Sequence, residues 1–399
     1  MSKPTVRILE ASEELEEAFG ILRIAIPGVR PLPFPIADVS ETLRTFGGHL
    51  DGTLAGTTTA YDCTLVVPGG ARVRQLAVTR VGVLPTHTRL GLATALLTTQ
   101  LADGRQRGVP IATLRASEGG IYERYGYGIA GRAATVEVEC RRAVFRTGVP
   151  TGGQLRLLPV AGSAPELARI YHEINPSWVG AMDRPESWWR TRQPRAEALP
   201  TSTVVVHGAP GAEDGFARYH VLEPSPGAHT DTAKVIDLVA ANSVSRAALL
   251  RYLLSIDLIE RVQFEAMALD DPLPLLLVDE RPVRTVEVSD EIWLRLIDVP
   301  AALAARSYRG EGEVVVGVVD RVLPENTGNY AISAAGAKPT SVPAQLTVDA
   351  ATLAALYLGG SRWWQLIAAG RVTVHEPAAV PVAEELFGAE RAPFCGTFF

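Results

Sequence analysis

Read for its apolar and polar positions, the chain predicts alternating helices and strands from end to end. SEELEEAFGILRIAI, from Ser12, reads as a helix with Ser12 as N-cap and acids in its first turn. A proline-rich loop, Pro27 to Pro35, follows. Then comes a Gly-punctuated, β-branched run, GGHLDGTLAGTTTAYDCTLVVPGGARVRQLAVTRVGVLP, which predicts a meander turning at Pro68–Gly70. Further on lie a helix (APELARIYHEI), two strands (TSTVVVHG, AKVIDLVAA) and a helix (SVSRAALLRYLLSID). Their order echoes the first block and points to an internal duplication. The last block holds strands (EVVVGVVD, NYAISAA, AQLTVD) and helices (AATLAALYLG, SRWWQLIAAG). With the turn-rich RTGVPTGG as first boundary, three units are expected: residues 1–145, 146–286 and 287–399.

Length and composition narrow the classes. At 399 residues the chain is too long for one ordinary core. The balance, 47% hydrophobic and 21% charged, is globular, and the net charge of −6 gives no basic footprint for nucleic acid. Cys63, Cys140 and Cys395 are far apart, with no zinc spacing and no disulfide framework, which fits a reducing compartment. No secretory signal and no membrane-length apolar run is apparent, so a cytoplasmic protein without a membrane partner is expected.

The segment richest in chemistry is LAVTRVGVLPTHTRLGLATALL, residues 76–97. A strand stops at Pro85, a polar turn follows, and an Ala/Leu helix begins after Gly91. Free N–H groups at a helix start, a close backbone approach at Gly91 and the charge of Arg89 would together suit a pyrophosphate. Neither GxGxxG nor GxxxxGK[ST] occurs here, which argues against a Rossmann site and a P-loop.

VGVLPTHTRLGLA resembles the acetyl-CoA signature of the GNAT superfamily of N-acetyltransferases, V-x-P-x-x-[QR]-x-x-G-x-[GA]. Gly91 and Ala93 match; Thr88 stands at the [QR] position and lacks the long polar arm. Tyr122-Glu123-Arg124-Tyr125-Gly126-Tyr127 fits the family's Y-x-x-x-G-[FY]. ASEGGIYERYGYG and the ending RAPFCGTFF are similar to one branch, the enhanced intracellular survival (Eis) family. That resemblance implies a mixed α/β fold (α+β sheets): tandem GNAT-like domains, the second degenerate, then a sterol-carrier-like α/β domain.

The resemblance also implies a mechanism and partners. Acetyl-CoA is the co-substrate, no metal is needed, and an amine (an aminoglycoside, another polyamine or a lysine) accepts the acetyl group directly. Tyr122 is the general acid for the departing thiolate, and the main-chain carboxylate of Phe399 is the base. Val81 and Val83 pair with pantetheine; Thr88, Arg89, Gly91 and Ala93 surround the pyrophosphate; Ser117 lies near the thioester. For the acceptor pocket, Phe34 and Phe398 are the candidates. Burial of Phe394, Phe398 and Phe399 would hold the C-terminus in place. Arg23 and Arg30 lie beside the loop from Ile26 to Asp38, so a pocket less acidic than in aminoglycoside-modifying relatives is expected. A homohexamer is expected by the same analogy, and no acetyl-CoA site in the second unit. A non-catalytic lipid- or acyl-CoA-binding protein, motivated by the apolar helices of the last block, is the alternative. Trp188–Trp189 and Trp363–Trp364 are expected to pack at domain contacts.

Overall fold

The computed structural model describes residues 3–199, 201–222 and 231–399. By contact the chain divides into two compact units: residues 1–131, 178–187 and 290–399 in one, residues 132–177 and 188–289 in the other.

The first unit begins with β1 (Thr5–Ile8) and α1 (Ser12–Ala25). Glu13 and Glu14 in the first turn of α1, and Arg23 in its last, complement the helix dipole. Its N-cap is Ala11, without a side-chain bond, so Ser12 is the first helical residue rather than the cap. Leu15, Ala18, Ile21 and Leu22 form its buried stripe. The predicted meander is present as β2 (Leu43–Leu50), β3 (Thr53–Val66) and β4 (Arg72–Val83), paired antiparallel in sequence. Then α2 (Leu92–Gln106) crosses to β5 (Ile111–Leu114), which lies parallel to β4. A short helix, α3 (Gly119–Tyr122), leads into β6 (Gly128–Glu139).

The second unit contains β7 (Leu155–Leu158), α4 (Ala164–Ile174), α5 (Glu186–Glu197, from Trp188 on), β8 (Thr203–His207), β9 (Gly215–Leu222), β10 (Asp231–Ala240), α6 (Ser243–Leu254), β11 (Ile259–Ala268) and α7 (Leu273–Leu276). β9 and β10 are antiparallel, α6 follows, and β11 returns parallel to β10. This is the plan of β3, β4, α2 and β5 repeated. Trp188 and Trp189 stack edge to face at 4.9 Å, and Trp189 also meets Tyr171 and Phe216. The pair thus packs within the second unit around Tyr171 and Phe216.

The chain then enters β12 (Val283–Leu296), so the boundary expected after Val286 falls inside a strand. Trp293–Leu296 pair antiparallel with Leu114–Ile111 of β5, covering the side of β5 away from β4. After α8 (Val299–Ala305) a second sheet forms from β13 (Glu313–Val319), β14 (Gly328–Ser333), β15 (Gly336–Thr340), β16 (Leu346–Asp349) and, after two helices, β17 (Val372–Val374), in the order β15-β14-β13-β16-β17. The helices are α9 (Ala350–Tyr357), α10 (Trp363–Ala368) and, near the end, α11 (Ala379–Phe387). Every residue of α9 is buried, so its apolar character is accounted for by core packing. Trp363 is buried against Phe387, whereas Trp364 is 59% exposed. Among the described residues no helix is long and apolar enough to cross a membrane, and no cluster of His, Cys, Asp or Glu could hold a metal.

Candidate active site

Two local departures from regular sheet shape the site. In β4 one extra residue is inserted opposite β3: Thr57 faces Gly82 while Thr59 faces Thr79. Arg80, inside this bulge, has φ +55°. The parallel pairing with β5 stops at Val78–Leu114, yet β4 runs on to Val83. Val81 and Val83 thus lie, half-buried, on a stretch of strand without β5 alongside, where an extended ligand can add its own hydrogen bonds.

A tight turn, Pro85–His87, follows β4. Thr88 donates its hydroxyl to the Pro85 carbonyl at 3.2 Å, bracing the turn. Arg89, exposed, has φ +62°, and Gly91, the N-cap of α2, has φ +84°, a conformation that suits glycine. No side chain caps α2 and no acid stands in its first turn. Its leading N–H groups, with Ala93 half-buried among them, are open to an anion. The matching helix of the second unit differs: Asn242 accepts from Val244 and Ser245 N–H, so α6 closes its own N-terminus.

Tyr122 ends α3 with 6% of its surface exposed. Its ring meets Tyr127 at 6.2 Å and Trp293 at 6.3 Å, in a cluster that also takes in Leu114 and, at its edge, Val81. Burial pushes the phenol above its ordinary pKa, and a hydrogen bond from Ser117 pulls it partly back. Gly126, at φ +84°, turns the chain into β6 directly over the Arg295 guanidinium, where a Cβ would come within 2.8 Å. Arg295 is fully buried, and its Nη2 donates to both Asp320 carboxylate oxygens at 2.8 and 2.6 Å.

The C-terminal residues are fastened close by. Glu291, two residues before Trp293 on β12 and 1% exposed, accepts from Arg115 at 2.7 Å and from the Cys395 and Gly396 N–H groups at 2.9 Å each. Arg115 directly follows β5. Phe398 is 58% exposed, its ring 5.1 Å from the Arg115 guanidinium, and Phe394 and Phe399 are half-buried. Burial of the phenylalanines is therefore not what secures this end; polar fastening of the preceding main chain does. Phe34 is half-buried beside Phe19 and Leu32 in the cluster beneath α1. A small cleft there is lined by Phe19, Leu22, Ile36, Thr57, Thr59 and Arg80, with no carboxylate among its described lining residues.

The sequence reading missed Glu291, Arg115 and Arg295. The available signal was a pair of charges inside the apolar run EIWLRL, where simple alternation would turn them outward.

Comparison with known proteins identifies the family. A GNAT acetyltransferase domain model matches residues 8–130 and a second one residues 180–296, and a sterol carrier protein domain model matches residues 299–396. The N-acetyltransferase Eis of Mycobacterium tuberculosis is 34% identical over 78% of this chain and 77% of its own. Crystalline Eis1 from Mycobacterium abscessus is 39% identical, with a TM-score of 0.91 over 99% of this chain and 100% of that one. The chain belongs to the Eis family of GNAT acetyltransferases. An N-acetyltransferase of Streptomyces coelicolor is similar to it as well, at 36% identity over 96% of each chain. This Eis-family chain is thus an acetyltransferase with two GNAT domains and a sterol-carrier-like domain, and the GNAT fold implies acetyl-CoA as co-substrate. The residues present fit that molecule: the end of β4 without β5 alongside suits an amide-bearing arm, and the uncapped start of α2 beside Arg89 suits a pyrophosphate.

Proposed function

We propose that the protein moves an acetyl group from acetyl-CoA directly to an amine in the cytoplasm, with Tyr122 as general acid and the Phe399 carboxylate as general base. The observation that carries this reading is the shared cluster of Val81 and Tyr122, with the fastened C-terminal residues beside it. Acetyl-CoA supplies an activated thioester. Val81 and Val83 align it by backbone pairing, while Arg89 and the first N–H groups of α2, from Gly91 through Ala93, hold the pyrophosphate, with the Thr88 backbone beside them. Phe399 takes a proton from the amine as nitrogen attacks the thioester carbon. Tyr122 gives its proton to sulfur as the C–S bond breaks, so amide and free thiol leave together. Its raised pKa keeps that proton on the phenol at neutral pH. The self-capped α6 supports a second GNAT domain without its own acetyl-CoA.

Phe34 and Phe398 face the acceptor in this reading, and the acid-free cleft beside Arg80 supports an acceptor less polycationic than an aminoglycoside. A homohexamer is the assembly the family resemblance supports, to be read by light scattering.

The test is thiol release from acetyl-CoA across aminoglycosides, polyamines and lysine peptides. Release that requires both an amine and acetyl-CoA, and that falls about 10²-fold in Tyr122→Phe and on removal of Phe399, supports the mechanism. Wild-type rates in both variants would overturn it.

A further inference from the structure

We infer that Glu291 and Arg115 form a clamp that sets the position of the terminal carboxylate, which makes both of them positioning residues for acetyl transfer; the inference rests on the base role proposed for Phe399. The main chain before the terminus is held residue by residue. Phe394 N–H donates to the Val179 carbonyl at 2.9 Å, and the Trp178 indole donates to the Phe394 carbonyl at 2.9 Å. One oxygen of Glu291 takes the Cys395 N–H; the other takes the Gly396 N–H and Arg115. Arg115 then reaches on to the Thr397 carbonyl at 3.2 Å. Arg184 donates to the Thr397 hydroxyl at 3.0 Å and to the Gly396 carbonyl at 3.2 Å.

The Thr397 carbonyl oxygen is two residues short of the carboxylate, and the Phe398 ring between them lies 5.1 Å from the Arg115 guanidinium. At about 3.5 Å per residue, that leaves roughly 7 Å of reach. A shift at Cys395–Thr397 is therefore carried on toward the terminus.

Two features distinguish a clamp from ordinary packing. An apolar end such as PFCGTFF needs no buried charge to pack, and a buried ion pair adds little net stability over an apolar equivalent while fixing geometry closely. Moreover, the two clamp residues adjoin the packing partners of Tyr122. Glu291 precedes Trp293 by two positions on the same strand face, and Arg115 follows Leu114. One piece of sheet thereby registers acid and base against each other.

The test is a double-mutant cycle. Glu291→Gln keeps the shape but turns an NH₂ toward one of the two N–H donors and removes the charge that orders Arg115. We expect kcat to fall about 10-fold or more with the KM for acetyl-CoA unchanged, the usual consequence of a misplacement near 1 Å. Removing Phe399 lowers kcat, and adding Glu291→Gln to that truncation lowers it no further. Arg115→Lys, which keeps the ion pair and loses the bond to Thr397, gives a smaller loss of the same kind and serves if Glu291→Gln does not fold. Multiplying losses in the double variant, or wild-type kcat in Glu291→Gln and Arg115→Lys while the truncation is impaired, overturns the clamp alone. Full activity after removal of Phe399 overturns the base role, and the clamp with it.

Discussion

The hydroxyls of Thr94 and Tyr125 lie 3.0 Å apart and tie the first turn of α2 to the turn that carries Tyr122. The start of α2 and the segment that follows Tyr122 are thereby joined by one side-chain bond. Replacing Tyr125 by Phe is expected to lower stability by about 0.5–1.5 kcal/mol, the usual net value of such a bond. Thr94→Val should cost a similar amount, and the double variant no more than the larger single loss, since one bond is removed in each case. Denaturant melts of the four proteins check this.

The pH dependence follows from the Tyr122 phenol. With Tyr122 as the proposed acid, the protonated form is the active one; burial raises its pKa, so activity is retained at neutral pH and lost as pH rises through the raised value. The alkaline limb of kcat should therefore lie above 10, the unperturbed phenol value. Ser117 donates to the phenol and lowers its pKa. Ser117→Ala should move that limb further upward, and a downward shift in the pH profile would contradict the assignment.

Thr88 stands where the family signature carries Gln or Arg. Its hydroxyl is exposed and braces the turn, and it lacks the long polar arm of Gln or Arg. Thr88→Arg is expected to lower the KM for acetyl-CoA several-fold, and Arg89→Ala to raise it by about 10-fold, in line with charge-assisted bonds worth about 1.5 kcal/mol at an exposed site. Both effects should shrink as salt is added. Steady-state kinetics at low and high ionic strength measure them.

Asp320 holds the buried Arg295 with both oxygens and also accepts from Asn326 and from the Val322 and Leu323 N–H groups. Asp320→Ala strands a charge beneath Gly126 and should destabilise the first unit by about 3–5 kcal/mol. Calorimetry of the purified variant reads the loss directly.

All three cysteines are free, and burial raises each thiol: Cys140 to about 11, Cys395 to about 12 and Cys63 well above its ordinary value. At pH 7.5 the folded protein should react only slowly with a disulfide reagent, because the thiolate is the reactive form. Rapid labelling of Cys63 or Cys395 without denaturant would contradict this burial.

Local signals made part of this legible. The meander, the strand–turn–helix around Gly91 and the helices at Ser12, Ala164, Ser243 and Ala350 follow from short-range patterning. Gly47, Gly48 and Gly56, read as punctuation, lie inside β2 and β3, because side chains such as Leu54 and Leu96 occupy the space above them. The pairing of β5 with a strand 180 residues later leaves no mark on either segment. The fastening of the C-terminus likewise depends on Arg115, Arg184 and Glu291, three charges that look like surface residues until their partners are known. The motifs single out Val81, Tyr122 and Gly91; no motif singles out Arg115 or Glu291.

The contribution of Trp293–Leu296 to the first sheet has a consequence for dissecting the protein. A gene fragment that ends after the first matched domain would leave the apolar β5 as an open edge, a template for intermolecular strand addition and insoluble product. The acetyl-transfer module is thus discontinuous in sequence, and its minimal soluble form must carry residues from both ends of the chain.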